Sequence, residues 1–273
     1  MSEALLDIEK LSCGYGGKTI LEDISLSVDD REIVTIIGPN GSGKTTLLRA
    51  VSRILPPRRG KILLSGVDIQ RMTPGRLARQ IAVVGQFREP VSMTVKEYVL
   101  LGRIPYYKRF QFIETDRDKV LADRYIRLTG IADCKNKLLN ELSGGQMQLA
   151  AIARALVQEP KLLLLDEPTA HLDITHQALI LDLIRRLNRE LALTVLMVLH
   201  DLNLASEYSH RLVLLKEGRL VACGQPDQVV TYKTVEDVYD TVVVVDKNPL
   251  SGRPHIFLVT EEQQLAQKSK ENG

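Results

Sequence analysis

Gly38-Pro39-Asn40-Gly41-Ser42-Gly43-Lys44-Thr45-Thr46 is the stretch on which the reading of this 273-residue chain turns. It fits the pattern Gly-x-x-x-x-Gly-Lys-Ser/Thr and follows the short apolar run 32–37. It opens the segment 45–54, whose apolar residues recur at helical spacing before Pro56-Pro57. Glycines let the backbone curl until successive N–H groups converge on phosphate oxygens, and the helix N-terminus adds the positive end of its dipole. Lys44 then reaches the β- and γ-phosphates, and the Thr45 hydroxyl can ligate magnesium. A chance match somewhere in a chain of this length is about a one-in-a-hundred event at ordinary residue frequencies. The strand before and the helix after lower that chance further.

A loop of this kind calls for a carboxylate at the end of a second buried strand, and Leu162-Leu163-Leu164-Leu165-Asp166-Glu167 supplies two. Four leucines bury the strand, so Asp166 emerges at its carboxyl end, where α/β folds place ligands. Asp166 is expected in the outer shell of the magnesium ion, and Glu167, one residue on, as the base that polarises an attacking water. Without the phosphate loop, Asp166-Glu167-Pro168 would read as nothing more than a cap on the next helix.

Around these segments the chain alternates strand and helix signals, which argues for an α/β fold with a largely parallel sheet. Residues 5–11 and 19–28 read as strands on either side of the turn Gly14-Tyr15-Gly16-Gly17, an antiparallel N-terminal β lobe. Gly60–Gly66 is hairpin-like. From about 88 to 160 the signals are helical (94–101, 118–129, 145–158), as for a helical subdomain inserted into the core. The runs 161–166 and 194–199, with helix 175–191 between them, have the continuous apolar character of parallel strands buried on both faces. Residues 211–215 and 219–222 flank the hairpin signal Lys216-Glu217-Gly218. A small C-terminal extension, 229–260, carries β-type runs at 241–245 and 256–259. The polar tail 261–273 is expected to be disordered.

Lys and Arg number 36 against 34 Asp and Glu, a formal net charge of +2, so no nucleic-acid partner is expected. The three cysteines, Cys13, Cys134 and Cys223, lie far apart without a Cys-x-x-Cys pair, which suits a reducing compartment. The first residues alternate apolar and polar, a strand pattern in place of a signal peptide. No apolar run approaches the ~20 residues of a membrane span, so any membrane role is expected to go through a partner.

Leu142-Ser143-Gly144-Gly145-Gln146 precedes a helix, with Ser143 lying 23 residues before Asp166. With the two motifs above, the chain resembles the ATP-binding subunit of ABC transporters over nearly its whole length. The resemblance implies ATP and Mg2+ as cofactors, ATP hydrolysis as the activity, and a P-loop NTPase core. It implies further roles by register: Tyr15 stacking on adenine, Gln86 touching magnesium and the lytic water, Asp173 in the segment after the acidic pair, and His200 on the γ-phosphate. Taken singly, Tyr15, Gln86 and His200 would be ordinary polar or aromatic surface residues. His171 and His176 lack a carboxylate or Cys at ligand spacing, so a metal site there is not expected.

Residues 93–105 and Leu172-Asp173-Ile174-Thr175-His176-Gln177 look like the subunits that power import of iron–siderophore complexes, haem or cobalamin. Related molybdate or tungstate importers use similar ATPases. Such importers pair two ATPases with permease subunits at the cytoplasmic face of the membrane and a solute-binding protein. The loop 87–93 is expected to meet the permease. Ser143–Gln146 opens a helix whose N–H groups suit a γ-phosphate, yet the chain's own loop already holds the nucleotide from the other side, so a second copy of the chain is expected to complete the site. An ABC-type ATPase acting on DNA or ribosomes would bring coiled-coil arms, zinc modules or tandem nucleotide domains. A GTPase would bring an Asn/Thr-Lys-x-Asp motif. The chain has none of these.

Overall fold

The computed structural model describes residues 4–85, 92–108, 111 and 113–263. Gln86 and most of the 87–93 loop lie outside them, as does the tail from 264; residues 261–263 form a single helical turn.

In chain order, β1 (Ala4–Tyr15) and β2 (Lys18–Asp29) form a long antiparallel pair, and β3 (Ile33–Ile37) leads through the glycine loop into α1 (Lys44–Val51). Next come β4 (Arg59–Leu64), β5 (Val67–Asp68), α2 (Pro74–Ala78) and β6 (Ile81–Val84). The helical stretch holds α3 (Val95–Leu100), a 3-10 segment at Leu101–Tyr106, α4 (Asp116–Leu128) and α5 (Gly144–Leu156). The chain then alternates through β7 (Leu162–Asp166), α6 (Ile174–Leu191), β8 (Thr194–Val198), α7 (Leu202–Tyr208), β9 (Arg211–Lys216) and β10 (Arg219–Gly224). It closes with α8 (Pro226–Val229), α9 (Tyr232–Tyr239), β11 (Val243–Lys247) and β12 (Pro254–Leu258).

The central sheet runs β10-β9-β3-β8-β7-β6, parallel throughout except for the β9/β10 hairpin. Its interior strands are buried on both faces: every residue of β3 and β8 is buried, and Leu162 to Leu165 are fully so. The antiparallel sheet β2-β1-β4-β5 packs against one face, with Leu6, Ile8, Leu21 and Ile62 meeting Val34, Leu164 and Leu196. The other face is covered by the helical stretch and α6, so Leu163, Leu165 and Met197 share a core with Leu149, Ile152 and Ile184. Two cores on two faces of one sheet leave its carboxyl edge open, and the functional residues gather there.

β6 is an element for which the sequence analysis has no reading. Ile81-Ala82-Val83-Val84 is too short and unmarked to stand out beside Gly85, yet it pairs in parallel with Leu162 to Leu165 and forms the sheet edge.

Candidate functional site

The loop between β3 and α1 holds its shape through glycines at positive φ: Gly38 (145°), Gly41 (79°) and Gly43 (99°). A Cβ on Gly38 would collide with the Leu215 carbonyl oxygen, so the residue is needed for space as well as for conformation. Ser42 N–H donates to Pro39 O at 3.2 Å, and Ser42 O accepts from Gly218 N–H at 3.1 Å. The Lys216-Glu217-Gly218 turn, legible in sequence only as a hairpin, therefore braces the loop from behind. Ser42 Oγ is buried without a hydrogen-bond partner, an orphan that an incoming phosphate oxygen would satisfy.

Lys44 is folded back onto its own loop. Its Nζ donates to Gly38 O at 2.8 Å and Pro39 O at 2.9 Å, and the residue is buried. Burial lowers its pKa, opposed by the charges of Glu167 and Asp166. Thr45 Oγ1 donates to Asp166 Oδ1 at 3.1 Å, which places a hydroxyl and a carboxylate side by side where β7 ends. Burial also raises the pKa of Asp166, against the hydrogen bond from Thr45. A hard divalent cation takes this all-oxygen donor set and favours the ionised carboxylate, so the residues fit Mg2+. Next along the chain, Glu167 Oε1 is 2.5 Å from His200 Nε2. Glu167 adopts φ 54° immediately after the strand, turning the chain away from the sheet edge.

Tyr15, Asn40, Lys44, Thr45, Glu167 and His200 line one cleft of about 300 Å³. Gly41, Gly43 and Thr46 line it too. Tyr15 stands at its rim, 44% exposed, with its hydroxyl accepting from Arg49 Nη1 at 3.0 Å, a partner that sequence alone did not suggest.

Ser143, Gly144, Gly145, Gln146 and Asp173 do not line that cleft. Ser143 caps α5: its Oγ accepts from Gln146 N–H at 3.3 Å, and Gln146 Oε1 accepts from Ser143 N–H at 3.1 Å. Asp173 caps α6, accepting from His176 N–H at 2.9 Å, with His176 Nδ1 at 2.7 Å. These bonds hold its carboxyl below the usual carboxylate range. The His176 ring in turn occupies the space that a Cβ on Gly145 would need, so the two segments form one surface. The contact spans 31 residues of sequence, and no local signal announces it.

The ABC transporter family profile matches residues 21–170, the phosphate loop, signature segment and acidic pair included. The chain belongs to the ABC transporter family. This cassette is 40% identical over 254 residues to the ferric enterobactin transport ATP-binding protein of Escherichia coli, covering 93% of each chain. It is 39% identical over 264 residues to the iron(3+)-hydroxamate import ATP-binding protein of Bacillus subtilis, covering 95% of this chain and 98% of that one. Its fold matches the dimeric structure of the bacterial ABC transporter cassette MJ0796 with a TM-score of 0.71 and 29% identity, over 81% of this chain and 98% of that one. The cassette binds nucleotide and is an ATPase. Among its described residues, no helix is long and apolar enough to cross a membrane.

Proposed function

We propose that this cassette is the ATP-hydrolysing motor of an importer for an iron chelate. Two copies act beneath permease subunits at the cytoplasmic face of the membrane, and a solute-binding protein delivers the cargo. The observation that carries the motor reading is the cleft itself: Lys44, Thr45, Asp166, Glu167 and His200 converge, while Ser143–Gln146 faces elsewhere on the same chain. The cargo class rests on the names of the relatives, which include a cobalamin import ATP-binding protein beside the iron-chelate ones; haem is the further choice that the sequence resemblance implies.

In this reading Thr45 and Asp166 would hold Mg2+, and Gln86 is assigned to the same ion and to the lytic water. Held there, Mg2+ would supply neutralisation of the phosphate charge. Lys44 leaves its two carbonyls for the phosphates, and the loop amides of Gly38 to Thr46 wrap them. Tyr15 offers its ring face to adenine. Glu167 takes the proton of the attacking water, and His200 orients Glu167 and the γ-phosphate. Ser143–Gln146 and Asp173 serve the nucleotide of the second copy. Residues 88–160 act as the subdomain that follows the permease, and 229–260 as a C-terminal extension.

Uptake tests the proposal. In host cells lacking this gene, labelled ferric siderophore should fail to accumulate; the wild-type gene should restore uptake and the Glu167→Gln gene should not. Normal ferric siderophore uptake alongside lost molybdate uptake would reject the iron reading.

A further inference from the structure

α7 begins two residues after His200 and is held at both ends by the terminal hairpin β11–β12. At its start, Asp201 Oδ1 caps the helix, accepting from Asn203 N–H at 2.8 Å and Leu204 N–H at 2.9 Å. The Asn203 side chain then makes a two-way bond with one residue of β12: Nδ2 donates to Ile256 O at 3.2 Å, and Oδ1 accepts from Ile256 N–H at 2.7 Å. At the far end Ser206 Oγ donates to Pro254 O at 2.7 Å, and Arg253 Nη1 donates to Ser206 O at 2.8 Å and Ser209 O at 2.5 Å. Cations on the last carbonyls of a helix fix its end. Ser206 and Ser209 are fully buried, so these bonds are shielded from water.

A two-stranded ribbon has little stability of its own. This one buries Val243 and Ile256 against the core, bonds to α9 through Val243 N–H on Glu236 Oε1 at 3.4 Å, and directs the polar and backbone groups of its β12 end onto α7. The helix it grips carries His200 at its entrance, with His200 Nε2 2.5 Å from Glu167 Oε1. We propose that Asn203 and Arg253 are positioning residues, through which the C-terminal hairpin holds α7 and so keeps the His200 imidazole against Glu167. The inference rests on the reading of Glu167 and His200 as the pair that handles the attacking water. Neither Asn203 nor Arg253 lines the nucleotide cleft, so the effect must pass through His200 and not through ATP binding.

The test is steady-state ATPase kinetics of the full chain for Asn203→Ala and Arg253→Ala, each alone and combined with His200→Ala. Displacing a catalytic group by a fraction of an ångström to an ångström costs roughly 10- to 100-fold. The expected result is a kcat lower by that order with KM for ATP unchanged within twofold, and no further loss when either change is added to His200→Ala. An unchanged kcat in both variants, or the same fold-loss in the His200→Ala background, overturns the inference while leaving His200 its role. A His200→Ala protein with wild-type kcat removes the underlying reading and the inference with it. Should the alanine variants fail to fold, Asn203→Asp, which keeps the acceptor for Ile256 N–H and loses the donor, is read by the same criteria.

Discussion

Lys44 shows how one side chain is held ready for a ligand. Its ammonium rests on two carbonyls of its own loop inside a buried site, with Asp166 and Glu167 supplying compensating charge. Lys44→Ala removes the cation and leaves both carbonyls without their donor. Loss of one preorganised charge-stabilising group costs on the order of 10²–10³ in rate, so turnover in the purified variant should fall by at least that, with weaker binding of a fluorescent ATP analogue. Lys44→Arg should not restore it, because a planar guanidinium is larger than the space left at a residue only 5% exposed. Wild-type hydrolysis in either variant would contradict the assignment. At this scale the sequence was most informative where a motif carries its own mechanism, as for Lys44, Thr45 and Asp166. It was silent on Arg49 and the His176 ring, whose neighbours come from distant segments, and on Ser42 Oγ, which is buried with no protein partner.

Among the elements, the 3-10 segment Leu101–Tyr106 is the bolt of the helical stretch. Arg103, 3% exposed, donates from Nε to Asp118 Oδ1 of α4 at 2.8 Å and from Nη1 to Val157 O, just past α5, at 2.8 Å. Its guanidinium also lies 3.8 Å from the centroid of the Tyr106 ring. Breaking a buried pair outright costs about 3–5 kcal/mol, and here the loss is smaller because Arg103 Nη1 keeps Glu159 Oε2 at 3.1 Å. Asp118→Ala should therefore lower the thermal midpoint well beyond an ordinary surface change, and Arg103→Met combined with Asp118→Leu should recover much of the loss. A single Asp118→Ala protein as stable as wild type would show that the pair contributes little.

The same carboxyl gives a pH dependence. Burial pushes the Asp118 pKa up, but hydrogen bonds from Thr115 and the Arg103 guanidinium outweigh it and hold the value below the usual range. A depressed folded pKa means stability that is present above the unfolded value, about 3.9, and lost as pH falls through the folded one. Denaturant midpoints from pH 6 down to pH 2 should fall more steeply for the wild type than for Asp118→Asn. Equal slopes would locate the acid lability elsewhere. Strong local patterns made most elements legible, including the leucines of β7 and the helical spacing over 94–101 and 118–129, while the caps Thr94 and Thr115 emerged only in the structure. β6 was not legible, because four residues at a sheet edge are specified by the pairing with β7 and not by any periodicity of their own.

For the whole molecule, the separation of Ser143–Gln146 from the cleft argues that one chain is half a site. Glu167→Gln keeps size and hydrogen-bonding reach but removes the base, a loss on the order of 10²–10⁴ in turnover. Light scattering of this variant should show a dimer with ATP and a monomer with ADP. A Glu167→Gln protein that binds ATP and stays monomeric at tens of micromolar would count against the two-fold arrangement.

The order of the central sheet also sets when this molecule can come into being during synthesis. β3, which delivers the phosphate loop, pairs with β8 and β9 and, among the described residues, with no strand made before residue 194. A ribosome that has released the first half of the chain has exposed the long β1–β2 pair and the whole glycine loop, yet β3 is still an apolar strand with two bare edges. Pairings of such sequence separation are slow to form and exposed to aggregation while they wait. The half-made cassette therefore has its nucleotide motif well before it can grip a nucleotide, and ATP in the surrounding solution should protect from protease only those nascent chains that have emerged past β9.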